Sequence, residues 1–168
     1  KDLLKGIGAV IKQSDKHSYQ IDSGNIHSNN PDQKNAIRIR GSFLLAGPLL
    51  ARKKSVVLPS PGGDRIGLRP VQTHLSALEK LGTRINLNNN GIYEMETDGL
   101  KGADIYLDEA SVMATENSIM AAVTAQGITN IYNAACEPHV QGLCNFLVKL
   151  GAKIDGIGSN LLIIDGVS

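Results

Sequence analysis

The 168-residue chain has no tryptophan, two phenylalanines and four tyrosines. Its core must therefore be built from Leu, Ile, Val and Ala rather than from aromatic rings. It has two cysteines, Cys136 and Cys144. That is too few for a disulfide scaffold and fits a reducing cytoplasm. A net charge of +1 leaves no global field to draw in nucleic acid or an anionic membrane surface. No apolar run nears the ~20 residues of a bilayer span; the longest, Phe43 to Ala51, is broken by Gly47-Pro48. A CxxC pair and a GxxxxGK[ST] phosphate loop are both missing. The chain opens at Lys1 with neither a methionine nor a signal-like stretch, which reads as a trimmed or partial sequence.

What is present is an internal repeat. Three segments share the pattern Gly, two residues, Ile, a polar turn, a short strand and then Asp-Gly or Asp-Ser. They read GAVIKQSDKHSYQIDSG from Gly8, GTRINLNNNGIYEMETDG from Gly82 and GAKIDGIGSNLLIIDG from Gly151. Each reads as a β-hairpin, turning at Ser14-Asp15-Lys16, Asn88 to Gly91 and Gly158-Ser159-Asn160.

Helices fill the gaps. Val71, Leu75, Leu78 and Leu81 fall at helical spacing and Gly82 stops that helix. Val140, Leu143, Leu147 and Leu150 repeat the design before Gly151. Pro70 and Pro138 suit the first turns of these two helices. A second helix type, Ser42–Ala51 and Ser111–Gln126, is apolar nearly all round and so should be buried on most sides. Short strands follow, Ser55–Leu58 and Thr129–Tyr132. The expected fold is α/β, with apolar helices inside, sheets outside, two full repeats and part of a third. Nothing resembling a linker divides the chain, so residues 1–168 read as one domain.

The segment LPSPGGDRIGLRP from Leu58 is a long glycine- and proline-rich loop carrying Asp64, Arg65 and Arg69. Such loops hold function more often than packing, and Gly62-Gly63 would let backbone amides approach an anion. A solvated surface loop is the other reading. Ser111 opens an apolar helix and caps it, or leaves the Val112 and Met113 amides for a phosphate. Arg40 precedes the other apolar helix and reads as a surface charge or an anion contact. Cys136, His139 and Cys144 do not make a metal site, because a fourth ligand and ligand spacing are lacking and Cys144 lies on the apolar helix face. His74 reads as a surface or supporting histidine, with substrate contact as the alternative, and Lys53-Lys54 as a solvated turn.

Three stretches together carry a resemblance. They are Arg38 to Pro70, with Arg40-x-Ser42, GPLLAR from Gly47 and PGGDRIGLRPV from Pro61; KGADIYLDEASVMATENSIMAA from Lys101; and NAACEPHVQGLCNFLVKLGAKIDGIG from Asn133. The chain resembles the UDP-N-acetylglucosamine enolpyruvyl transferase family over nearly its whole length. The resemblance implies an inside-out α/β barrel domain of βαβαββ-like repeats, one of two similar domains with the active site in the cleft between them. It implies transfer of the enolpyruvyl group of phosphoenolpyruvate to the 3′-hydroxyl of UDP-N-acetylglucosamine. This is the committed step of peptidoglycan precursor synthesis, in the cytoplasm, with no cofactor and no metal. Its partners would be those two substrates and the second domain, with no nucleic acid and no membrane. The nearest rivals are a related transferase acting on shikimate 3-phosphate or another acceptor, and a non-catalytic UDP-sugar-binding or structural domain.

By the same resemblance Asp64 matches the family's general acid, where most members carry cysteine. Arg69 matches a substrate-contacting arginine, and Pro70, Val71, Gln72 and Thr73 continue the UDP-sugar segment. Glu109, Ala110, Ser111 and Val112 match a second UDP-sugar loop, and Arg40 an upstream arginine on the nucleotide sugar. Gln72 stands where the family pattern has an acid, Glu109 where some members have lysine, and Met113 where glycine is common. The family's lysine-asparagine segment and the second domain's aspartate and arginine have no counterpart in these residues, so half a cleft and an inactive isolated chain are expected. Loops of this kind close over substrate, so mobility is expected for Ser60–Gly67.

Overall fold

The computed structural model describes residues 1–63 and 70–167. In chain order the elements are α1 (Asp2–Gly6), β1 (Val10–Gln13), β2 (Tyr19–Asp22), α2 (Gln33–Ala36), a 3-10 turn (Arg40–Leu45), α3 (Ala46–Lys53), β3 (Ser55–Pro59) and α4 (Gln72–Lys80). Then come β4 (Arg84–Leu87), β5 (Ile92–Glu96), β6 (Asp104–Tyr106), α5 (Val112–Ala122), β7 (Ile128–Tyr132), α6 (Pro138–Lys149), β8 (Lys153–Asp155) and β9 (Leu161–Asp165). A unit of buried helix, strand, surface helix and hairpin recurs: α3-β3-α4-β4-β5, then α5-β7-α6-β8-β9.

The three repeat glycines have a local cause. Gly8, Gly82 and Gly151 follow α1, α4 and α6 with φ of +115°, +92° and +104°. A residue with positive φ just past a helix end satisfies the last carbonyls and turns the chain, and glycine does so without steric cost. The chain then enters a hairpin each time, and the three turns fall where the repeat placed them.

Each hairpin's second strand can take a further partner. β3 pairs with β5 antiparallel, giving the sheet β3-β5-β4. β7 pairs with β9 antiparallel and with β6 in parallel, giving β6-β7-β9-β8. β1 and β2 form a two-stranded sheet.

The interior belongs to α3 and α5, as their composition requires. Ala114, Ile119, Ala121 and Ala122 of α5 are fully buried, as are Ala46 and Leu50 of α3. Burying a leucine or isoleucine side chain contributes about 1.5–3 kcal/mol. The two helices pack closely, because a Cβ on Gly47 would lie 2.6 Å from the Asn117 carbonyl oxygen. The polar side chains on α5 are satisfied: Ser118 Oγ donates to Ala114 O at 2.7 Å, and Thr115 Oγ1 accepts from Ala135 N at 3.0 Å.

Three expectations change. Ser42–Ala51 is a 3-10 turn followed by an α-helix, not one helix. Pro48 has no N–H to donate back to Leu44, so a continuous α ladder cannot pass it. α5 ends at Ala122 rather than Gln126, with Val123 to Ala125 closing in turn bonds. Pro70 lies before the Val71 cap of α4 instead of in its first turn, whereas Pro138 is the first residue of α6.

Candidate functional site

The loop after β3 is tied down at both ends. Ser60 donates its N–H and its hydroxyl to Gly91 O, at 2.8 and 3.0 Å. Where the loop rejoins α4, Arg40 Nη2 donates to Pro70 O at 3.0 Å. A Cβ on Gly62 would fall 2.0 Å from the Ile37 carbonyl oxygen. That glycine is therefore required by backbone packing at the mouth of the loop, a different cause from the anion approach read in the sequence. Asp64, Arg65 and Arg69 lie outside the described residues, as do residues 64–67 of the segment 60–67 for which mobility is expected.

Behind Arg40 lies a buried polar junction. Asn117 is fully buried at the middle of α5. Its Oδ1 accepts from Gly47 N at 3.0 Å, and its Nδ2 donates to Phe43 O at 2.8 Å. The same Nδ2 lies 3.0 Å from His74 Nδ1. Because Nδ2 can only donate, His74 Nδ1 accepts and the ring proton sits on Nε2. Phe43 stands edge-on to the His74 ring, with centroids 5.2 Å apart. Burial lowers the His74 pKa to about 4, helped by the Arg40 charge. His74 is thus a neutral core residue, 2% exposed, and the surface reading is wrong. Its place in the first turn of α4 gave no sign of what covers it.

The remaining site residues fall into two groups. Val71 and Thr73 are buried at the start of α4, Pro70 and Gln72 are exposed, and Gln72 Nε2 donates to Ser76 Oγ at 3.3 Å. Glu109 and Ala110 are exposed before α5. Ser111 caps that helix as expected, its Oγ accepting from Ala114 N at 3.4 Å. Among the described residues no acceptor is seen for the Val112 and Met113 amides. The structure joins Arg40 to Pro70 directly, and α4 to α5 through His74 and Asn117. Among the described residues no hydrogen bond or ion pair joins Glu109–Val112 to Pro70–Thr73.

Cys144 is buried and Cys136 exposed, and burial raises the Cys144 thiol pKa. Among the described residues no three His, Cys, Asp or Glu side chains gather to hold a metal, and no helix is long and apolar enough to cross a membrane. The sequence reading missed Asn117. Its signal was an asparagine inside a helix otherwise apolar all round.

The family model described as EPSP synthase (3-phosphoshikimate 1-carboxyvinyltransferase) matches residues 1–168. The chain belongs to that family. A UDP-N-acetylglucosamine 1-carboxyvinyltransferase from Bradyrhizobium diazoefficiens is 49% identical over 165 residues, which cover 98% of this chain and 38% of that protein. One from Treponema pallidum is 45% identical over 166 residues, covering 99% and 39%. The chain thus spans 38–39% of the length of these curated relatives. Among solved structures, the enolpyruvyl transferase NikO from Streptomyces tendae matches with a TM-score of 0.83 at 20% identity, over 99% of this chain and 39% of that one. An EPSP synthase from Acinetobacter baumannii matches at 0.73 and 22%, over 98% and 37%. These likenesses show an enolpyruvyl transferase fold, in which helices lie within a shell of sheets.

Proposed function

We propose that residues 1–168 are one domain of a two-domain transferase that moves the enolpyruvyl group of phosphoenolpyruvate to the 3′-hydroxyl of UDP-N-acetylglucosamine and releases phosphate. The observation that carries this is the 49% identity to a UDP-N-acetylglucosamine 1-carboxyvinyltransferase over 98% of the chain. The step commits material to peptidoglycan, in the cytoplasm, and through the wall it serves cell shape and division. The family model's own description favours a second reading, with shikimate 3-phosphate as acceptor.

In the proposed reaction Asp64 is the acid. It delivers a proton to the methylene carbon of phosphoenolpyruvate while the sugar hydroxyl, giving up its own proton, attacks the neighbouring carbon; phosphate then leaves that carbon and a methyl proton is lost, which restores the double bond of the enolpyruvyl ether. A carboxylic acid can deliver that proton only with its pKa raised toward working pH, and the phosphate and carboxylate charges of bound substrates act in that direction. Arg69 and Arg40 stabilise the anionic groups. Pro70, Val71, Gln72 and Thr73 line the sugar nucleotide, and Ser111 and Val112 turn the α5 amides toward its diphosphate. Glu109 and Ala110 border that contact.

The test uses the full-length protein. Calorimetric titration with UDP-N-acetylglucosamine should give binding where shikimate 3-phosphate gives none; the opposite order overturns the acceptor. The acid assignment is tested with fosfomycin, an epoxide that alkylates the family's site cysteine. A carboxylate is a far weaker nucleophile than a thiolate. The protein should therefore resist the drug, and Asp64→Cys should become covalently labelled. A drug adduct on the unaltered protein, or none on an active Asp64→Cys variant, removes Asp64 from that role.

A further inference from the structure

Among the described residues, two that are not glycine lie in the left-handed backbone region, Lys54 and Asn133. Asparagine enters that region readily, whereas lysine does so against a clash of its Cβ. Lys54 has φ +60°, closes α3 and stands immediately before β3. Gly127, with φ +95°, stands immediately before β7 in the next unit, and glycine meets no such clash. Both backbone groups of Lys54 are bonded: its N–H donates to Leu50 O at 3.0 Å, and its carbonyl accepts from Thr97 N at 2.8 Å. Neither bond needs a side chain. The backbone at position 54 therefore favours glycine, and the chain carries lysine. Strain of this kind collects where a side chain has a task.

The Lys54 side chain stands on a cavity. An open space of about 800 Å³ lies at the C-terminal ends of α3 and α5. Its charged lining is Lys54, Lys101 and Asp98, with Thr124 and Gln126 beside them. Its floor is apolar, made by the buried Leu50, Leu100 and Ala125. Asp98 does not use up the lysines. Its Oδ2 accepts from Arg84 Nη1 at 2.7 Å and its Oδ1 from Arg84 Nη2 at 3.4 Å. The Arg84 guanidinium first, and then the Lys54 and Lys101 charges, hold the Asp98 carboxyl below the usual carboxylate range. Among the described residues neither lysine ammonium makes a hydrogen bond or an ion pair. Nor is Lys54 needed to offset the α3 dipole, because Arg52 and Lys53 already stand in that helix's last turn. The end of α5 has no basic residue in its last turn and opposes an anion, but with only roughly half a charge. Two ammonium groups are left facing one cavity.

We propose that this cavity binds a small organic phosphate, with its phosphoryl group between Lys54 and Lys101 and its uncharged body on the floor of Leu50, Leu100 and Ala125. A phosphate monoester carries close to two negative charges at neutral pH, which two ammonium groups match as point charges. The cavity volume falls within the range of small-molecule sites, and the Gln126 amide offers the body a polar contact. The site is separate from the candidate site described above. Ser111 and Val112 stand at the start of α5 and this cavity at its other end, 11 residues or ~16 Å along the axis. The inference does not depend on the reaction proposed above.

The test uses the full-length protein and phenyl phosphate as the probe. Added phenyl phosphate should shift the backbone amide NMR signals of residues 98–101 and 124–127. Phenol or inorganic phosphate at the same concentration should shift them far less. Phosphate held at the start of α5 would move the signals of residues 111–113 instead and does not enter this readout. Lys101→Ala should weaken the binding by about tenfold or more. Lys54→Gly should weaken it equally while this domain's melting temperature holds or rises, because glycine relieves the backbone clash. That pairing separates a ligand contact from a structural one. Four results overturn the proposal: signals at 98–101 and 124–127 that do not move, equal shifts with phenol or inorganic phosphate, binding kept in either variant, or a Lys54→Gly protein that melts lower.

Discussion

Asn117 holds three helical segments with one side chain, and its removal has a calculable effect. In Asn117→Ala the Gly47 N–H and His74 Nδ1 each lose their described partner, while the Phe43 carbonyl keeps the Ala46 N–H. A buried polar group left unpaired costs about 1–3 kcal/mol. Taking the low end for the two groups left unpaired gives about 2 kcal/mol, before any cavity cost. For a domain of this size, each kcal/mol lowers Tm by about 2–4 °C. Calorimetric melting of the full-length protein should therefore show a drop of roughly 4–8 °C in this domain's transition. Asn117→Asp sharpens the test. An ionised carboxylate still accepts from Gly47 but cannot donate to Phe43 or His74, and it must be buried as a charge. Its defect should grow as pH rises and shrink as the carboxyl is protonated. An Asn117→Ala melt within about 2 °C of the unaltered protein, or an Asn117→Asp defect independent of pH, would refute the junction's importance.

Other outcomes follow from single contacts. His74 stays neutral in the fold down to about pH 4, while the unfolded chain protonates it near 6.5. The unfolded state therefore binds more protons between these values, and stability falls as pH drops through that window, by on the order of 3 kcal/mol. His74→Gln should flatten that part of a stability–pH curve; an unchanged slope contradicts the assignment. Gly47→Ala should cost about 1–3 kcal/mol in denaturant melts, because its Cβ meets backbone at 2.6 Å. Gly41→Ala, whose nearest neighbour is the Ile39 side chain at 3.6 Å, should cost far less. Arg84 bonds Glu96 at 3.2 Å and Asp98 at 2.7 Å, with all three side chains exposed. Solvent screens such pairs, so Arg84→Ala should change stability by less than about 1 kcal/mol.

Much of the fold was legible because its causes are local. The glycines at 8, 82 and 151 mark helix ends in the sequence, since only a left-handed residue closes a helix and turns directly into a strand. The apolar stripe of Val71, Leu75, Leu78 and Leu81 marks one face of α4. The absence of a polar face marks α5 as interior. The three turns are polar and follow short apolar-containing strands, so their positions needed no knowledge of the rest of the molecule. The candidate site was legible in a narrower sense: the loop after β3 stood out by composition, and Ser111 by its place at a helix start.

The tertiary structure decided what covers each face. Periodicity shows which side of a helix is apolar but not which segment meets it. His74 is buried by Phe43 and Asn117, which lie 31 residues before and 43 residues after it. Asn117 bonds groups 70 and 74 residues away. Gly62 is fixed by the Ile37 carbonyl, and Pro70 by Arg40. Leu81 and Leu150 occupy the same place before their glycines, yet one is fully buried and the other largely exposed. A leucine's side chain contributes to stability only when another surface removes it from water, and the position of that surface is a property of the assembled chain.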